Sequence, residues 1–209
     1  MIPMKTILLA TQNPGKVREI AALLAPLNIA VASPAAHPAW REVNEVGETF
    51  AANAILKAEN GAAQTGLPTL ADDSGLVVEA LNGAPGVHSA RYAAISSGGG
   101  GNAGDADNNR LLLKNLTGAA NRRAKYVCVL AFSSPNEMPR CFYGETAGEI
   151  LTAPRGANGF GYDPLFFSAD LQCAFGEAAA VAKNQISHRG RALQKFLAFL
   201  RETALPDRR

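Results

Sequence analysis

Three groups of residues in this chain have the types and the spacing to do chemistry. The first is Thr11-Gln12-Asn13-Pro14-Gly15-Lys16, set between a short apolar run and a stretch of helical periodicity. Asn13 is a good N-cap and Pro14 suits a first helical position. Gly15 and Lys16 then fall in the first turn, where backbone N–H groups lack helical partners and the dipole is positive. A lysine there opposes the dipole by roughly a few tenths of a kcal/mol. The arrangement makes sense if an anion sits at the helix start, with the Thr11 hydroxyl and the Asn13 amide as further polar groups. It is not a Walker A motif, because the glycine spacing differs and no Ser or Thr follows the lysine. Read alone, the run serves equally as a capped helix with a solvated lysine.

The second group is Asp72-Asp73-Ser74-Gly75, placed after the apolar Thr69-Leu70-Ala71. Two carboxylates at a strand end face opposite ways, so one can face a ligand while the other holds a turn. Glu45, just before a long helical stretch, adds a third. Carboxylates beside a phosphate site point to Mg²⁺, a hard cation that takes oxygen ligands and keeps several waters. Such a metal offsets phosphate charge and helps deliver a hydrolytic water. The alternative is a turn with Asx-type hydrogen bonds.

The third group has two parts. Gly159-Phe160-Gly161-Tyr162-Asp163-Pro164 sets two aromatics and a carboxylate in a glycine-flexed loop. Aromatic faces stack on bases, and glycine lets backbone approach a ligand. Lys183-Asn184-Gln185-Ile186-Ser187-His188-Arg189-Gly190 follows, with Ser187 as an N-cap and His188 and Arg189 at the start of the last helix. Bases again occupy the unfavourable end of a helix dipole. Solvated charges near a helix start are the alternative here.

The elements that must position these groups read as follows. Lys5 to Ala10 and Ile29 to Ala32 are strands, with a helix from Val17 to Leu24 between them. Thr49 to Gln64 is a long helix, and Thr69 to Ala71 and Leu76 to Ala80 are short strands flanking the acidic pair. Asn108 to Leu116 is helical, Tyr126 to Phe132 and Cys141 to Ile150 form a hairpin around Ser134-Pro135-Asn136, and Ala192 to Leu200 is a closing amphipathic helix. Ser96 to Asn102 is a flexible glycine-rich loop. Strands alternate with helices early and pair later, which predicts an α/β protein with a mixed sheet.

With 209 residues, 47% hydrophobic and 18% charged, the chain reads as a single globular domain over 1–209. A net charge of +2 gives no global field for nucleic acid or membrane, so any anion site must come from local placement. Cys128, Cys141 and Cys173 are scattered and read as small buried hydrophobes in a reducing cytosol. The first residues lack a signal-peptide pattern and no apolar run is long enough to span a bilayer, so a cytoplasmic protein is expected.

These motifs together resemble the inosine triphosphate pyrophosphatase family, house-cleaning enzymes that hydrolyse dITP, ITP and XTP to monophosphate and pyrophosphate. The resemblance is carried, in family order, by Thr11 to Lys16, Thr49-Phe50-Ala51-Ala52-Asn53-Ala54, Ala71-Asp72-Asp73-Ser74-Gly75-Leu76, Pro85-Gly86-Val87-His88-Ser89-Ala90-Arg91-Tyr92, Gly159 to Pro164 and Ser187-His188-Arg189-Gly190. It implies that Thr11, Gln12, Asn13, Pro14, Gly15 and Lys16 hold the triphosphate. It implies that Glu45 and Asp73 bind Mg²⁺ with Asp72 close by, and that Asp73 is the base that orients water. Ser74 would contact substrate, and Phe160, Gly161, Tyr162, Asp163, Lys183, His188 and Arg189 would line a purine pocket. The resemblance also implies a twisted mixed β-sheet flanked by helices, two lobes with a central cleft, and a homodimer. The Gly98 to Gly101 loop and the segment around His37-Pro38-Ala39-Trp40 have no counterpart in it, and His88 reads as structural.

Lys183 and Arg189 offer donors only, and His188 can offer one. Facing the purine 6-position, they would favour a 6-oxo group over the 6-amino group of adenine. No Ser/His/Asp or Cys/His nucleophile is visible, and phosphate chemistry needs none. A pyrophosphatase of modified pyrimidine triphosphates and a nucleotide-sensing module are the alternatives, separable by pyrophosphate release and a substrate panel.

Overall fold

The structure is a computed structural model that describes residues 6–27, 29–38 and 40–204. Lys5, of the first expected strand, and Ala39, of the segment before Trp40, lie outside the described residues. The strands are β1 (Thr6–Leu9), β2 (Ala30–Ala32), β3 (Thr69–Val78), β4 (Arg123–Ser133), β5 (Arg140–Ile150), β6 (Phe166–Ser168) and β7 (Cys173–Ala174). The helices are α1 (Pro14–Leu24), α2 (Phe50–Thr65), α3 (Tyr92–Ser96), α4 (Asp105–Asn115), α5 (Ala180–Ile186) and α6 (His188–Ala204). The sheet runs β2-β1-β3-β4-β5-β6-β7. β1 is parallel to β2 and β3, while β6 is antiparallel to β5 and β7. The expected mixed sheet with flanking helices is what forms.

The chain divides into two compact units. One holds the described residues up to Asp73, Cys128–Gly144 and those from Arg191 onward. Its strands are covered on both faces, and the period of two sorts the residues. Ile7, Leu9, Leu70, Cys128, Leu130 and Phe132 pack against Ile20 and Leu24 of α1 and Leu193, Phe196 and Leu200 of α6. Their neighbours Ala10, Ala71, Val129 and Ala131 face Ala54 and Ala58 of α2. Small residues on this second face let α2 approach closely. At Gly61 a Cβ would meet Thr69 Cγ2 at 2.6 Å.

The other unit comprises Ser74–Val127 and Glu145–Gly190. Its core gathers Leu76, Val78, Tyr126 and Ile150 with Leu112 of α4, with Leu116 just after that helix, and with Tyr162, Leu165, Phe166 and Phe175. Cys128 is buried, Cys141 and Cys173 are half-buried, and none of the three is in a disulfide.

One expectation is corrected. Asp72-Asp73-Ser74-Gly75 is neither a turn nor a strand end: β3 runs unbroken from Thr69 to Val78. The pair can stay inside a buried strand because each face supplies its own cation, as described next. The hairpin between β4 and β5 turns as expected, with the Glu137 N–H donating to the Ser134 carbonyl at 3.1 Å.

Candidate functional site

Alternation along β3 decides where the acidic pair points. Asp72 shares a face with Leu70, the face covered by α1, and its carboxylate is 3.0 Å from Lys16 Nζ. Asp73 shares a face with Ala71, the face covered by α2. There Asn53 Nδ2 donates to Asp73 Oδ2 at 3.2 Å and Lys57 Nζ lies 3.4 Å from Oδ1. Asn53 and Lys57 stand one helical turn apart, so both reach the same carboxylate. Lys57 also holds Glu45 Oε1 at 2.6 Å. Glu45 is brought in by Gly47, whose N–H donates to Asn53 Oδ1 at 2.7 Å. A Cβ at Gly47 would meet that same oxygen at 2.7 Å, so only glycine lets this segment sit so close to α2.

Glu45, Asp72 and Asp73 thus converge around the two ammonium groups of Lys16 and Lys57. Glu45 and Asp73 share the one ammonium of Lys57, so this pair carries more negative charge than Lys57 alone offsets. Burial is the largest influence on Asp73 and pushes its carboxyl above the ordinary range; Lys57 pulls it down, and Glu45 pushes it further up. For Lys57, burial pulls the ammonium down, but Asp73, Asp72 and Glu45 together outweigh it and hold it above its ordinary value. Lys57 has several carboxylates to stabilise its charge, whereas Glu45 and Asp73 share that one ammonium. Among the described residues no three His, Cys, Asp or Glu side chains form a ready-made metal cluster.

The loop before α1 is built as the sequence predicts, with one difference. Asn13 caps the helix and Pro14 opens it. The first-turn N–H groups, expected to be free, are not: those of Gly15 and Lys16 donate to Asn13 Oδ1 at 2.9 and 3.2 Å. The Thr11 hydroxyl accepts from the Asn13 N–H at 3.2 Å. Gln12, Asn13 and Pro14 are exposed and Gly15 is buried.

In the other unit, Ser74, Phe160, Gly161, Tyr162, Asp163, Lys183, His188 and Arg189 come together around Asp163. The Asp163 carboxylate accepts from Lys183 Nζ at 2.7 Å and from the Phe160 N–H at 2.9 Å. Lys183 and Arg189 lie over the Phe160 ring, at 5.1 and 5.7 Å from its centroid. Arg189 also donates to the Ser74 hydroxyl at 2.9 Å. Ser187 caps α6 through the Gly190 N–H at 3.1 Å, which sets His188 and Arg189 in the first turn as expected. Tyr162 departs from expectation. Its ring belongs to the core and its hydroxyl donates to the Ser89 carbonyl at 2.8 Å, so it supports the loop from beneath.

Sequence reading missed three contributors. Lys57 and Asn53 lie on the buried face of α2, and their four-residue spacing was the available signal. Tyr126 stacks on His188, centroids 4.6 Å apart and planes within 9°. In β4 it reads as one more apolar strand residue, so nothing local marks it.

A family model for the Ham1 family matches residues 7–199. The chain is 46% identical over 195 residues to a dITP/XTP pyrophosphatase from Listeria innocua, covering 92% of this chain and 93% of that protein. It is 46% identical over 207 residues to a dITP/XTP pyrophosphatase from Bordetella pertussis, covering 98% and 95%. Its fold matches the structure of a HAM1 protein from Coxiella burnetii with a TM-score of 0.84 at 43% identity, over 95% of this chain and 100% of that one. With a family match along nearly its whole length and relatives this similar, the chain belongs to the Ham1 family.

Proposed function

We propose that this protein is a nucleoside triphosphate pyrophosphatase that hydrolyses dITP/ITP and XTP/dXTP to the monophosphate and pyrophosphate. The names of its relatives support the reaction class. The observation that carries the chemistry is the surplus of carboxylate around Asp73. A buried cluster with excess negative charge fits a divalent cation. Glu45 and Asp73 would hold it, and the donor set of carboxylate oxygens fits Mg²⁺, which needs only one or two carboxylates besides phosphate and water. When bound, the ion would neutralise charge on the phosphates and leaving group.

The chain's own residues would do the rest. Lys16, at the start of α1, would meet the triphosphate together with Thr11, Gln12, Asn13, Pro14 and Gly15. Asp73, buried and held above the ordinary carboxyl range, would orient a water and take its proton as the oxygen attacks phosphorus. The α–β anhydride bond would break and pyrophosphate leave. Asn53 and Lys57 fix the Asp73 rotamer for this task.

Base choice is assigned to the second cluster. Phe160 would stack on the purine, and Lys183, His188 and Arg189 would present donors to a 6-oxo group. The 6-amino group of adenine would meet donor against donor, at about 1–3 kcal/mol for each donor left unpaired. The homodimer and a cytoplasmic setting rest on the family resemblance and are part of the same proposal. Product analysis tests the reaction. With Mg²⁺ and ITP, ³¹P NMR should show only monophosphate and pyrophosphate; diphosphate with orthophosphate would overturn it.

A further inference from the structure

The polar first half of α4, Asp105-Ala106-Asp107-Asn108-Asn109, is unusual for a helix that packs on a core through Leu112. Each of three polar residues in it has a backbone partner. The Gly161 N–H donates to Asp105 Oδ2 at 2.7 Å. Asn109 Nδ2 donates to the Gly161 carbonyl at 3.0 Å. Asp105 and Asn109 are one turn apart, so a single helix face grips both polar groups of one glycine. Asn108, buried, fixes the helix itself: its Oδ1 accepts from the Ala93 N–H at 2.9 Å and its Nδ2 donates to the Ala90 carbonyl at 3.3 Å.

Gly161 needs such a grip. It sits at φ +64°, between Phe160 and Tyr162, and a Cβ there would meet nothing within 4 Å. The direction a side chain would take is open, and the hydrogen bonds to Asp105 and Asn109 hold the Gly161 N–H and carbonyl. The Phe160 ring is one peptide away, and the Phe160 backbone N–H donates to the Asp163 carboxylate.

We propose that Asp105 and Asn109 are positioning residues for base binding: α4 clamps the Gly161 peptide and thereby sets the Phe160 ring for the purine. This rests on the reading of the Phe160 loop as the base-binding segment. The clamp belongs to ground-state binding, so its loss acts on KM rather than on kcat.

The test is steady-state kinetics with ITP on four variants and on Phe160→Ala. Asp105→Ala and Asn109→Ala should each raise KM about tenfold, as loss of one hydrogen bond of this kind does, with kcat within about twofold. Asp105→Asn keeps an acceptor oxygen for the Gly161 N–H and should restore KM. Asp107→Ala removes an acid from the same helical turn but leaves Gly161 held, and its KM should match the wild type. Asn109→Ala places the best helix former in the helix, so its effect cannot come from a lost helix. Unchanged KM in Asp105→Ala and Asn109→Ala would overturn the clamp. So would a loss that Asp107→Ala reproduces, or one that Asp105→Asn fails to restore. If Phe160→Ala raises KM while the clamp variants do not, the clamp alone fails. If Phe160→Ala also leaves KM unchanged, the base-site reading fails with it.

Discussion

Asp73 and Lys57 carry opposite charges and both shift upward: burial leads for Asp73, while for Lys57 the pull of Asp73, Asp72 and Glu45 outweighs burial. Asp73→Asn keeps the shape and the Asn53 contact but cannot take a proton. Turnover should fall by about 10²–10⁴-fold while equilibrium binding of ITP survives; near-normal turnover would remove Asp73 from the base role. Lys57→Met leaves Glu45 and Asp73 facing each other without their shared ammonium. The metal-free variant should lose about 2–4 kcal/mol in chemical denaturation, and added Mg²⁺ should recover more stability in it than in the wild type. Equal denaturation midpoints without metal would contradict this. Tyrosine gives a pH test. Burial, with help from Asp163, holds the Tyr126 hydroxyl well above the ordinary 10.0, and burial raises that of Tyr162 as well. Folded pKa values above the unfolded value mean that this stability is fully present below about pH 10 and is lost as pH rises through the folded values. Tyr126 and Tyr162 should therefore stay protonated as pH rises past 10 and ionise only as the protein unfolds. Tyr126→Phe should flatten the fall of Tm with alkaline pH, and an unchanged slope would rule the coupling out.

At the scale of elements, the site depends on backbone that only certain residues can supply. Gly159 sits at φ +78°, and a Cβ there would overlap the Asp163 carboxylate. Gly159→Ala should cost about 1–3 kcal/mol in stability from the backbone conformation alone. It should also raise KM for ITP by displacing Asp163 from Lys183 and the Phe160 N–H. Wild-type Tm and KM together would contradict that. How legible each element was follows from how local its cause is. The α1 cap was readable from Asn13-Pro14, because capping is decided within four residues. The α6 start was readable from Ser187 for the same reason. β3 was misread as two short strands because Asp72-Asp73-Ser74-Gly75 has turn composition; what keeps it extended is Lys16 and Lys57, brought from α1 and α2. α3 and α5 are too short to show a helical period, and β6 and β7 span only three and two residues. Lys57 escaped notice because a lysine on a helix is ordinarily solvated, and its burial follows from tertiary structure alone.

At the scale of the whole molecule, the residues proposed for the chemistry gather in two clusters, one in each compact unit. One unit carries Glu45, Asp72 and Asp73 with Lys16 and Lys57; the other carries Phe160, Lys183, His188 and Arg189, the groups proposed for the base. Among the described residues no helix is long and apolar enough to cross a membrane. The homodimer would appear in analytical ultracentrifugation as twice the 21.8 kDa chain mass at micromolar concentration; a monomer there would overturn it. Division of labour also sets what the chain must do as an enzyme. The carboxylate cluster without a divalent cation should not turn over, and the donor cluster should discriminate at the purine 6-position. Both are read by one measurement, pyrophosphate release from ITP, XTP, GTP and ATP with Mg²⁺ and with the metal chelated. The expected result is release from ITP and XTP that stops on chelation, with kcat/KM for ATP lower by about tenfold or more. Equal kcat/KM for ATP and ITP, or release that persists without metal, would contradict it.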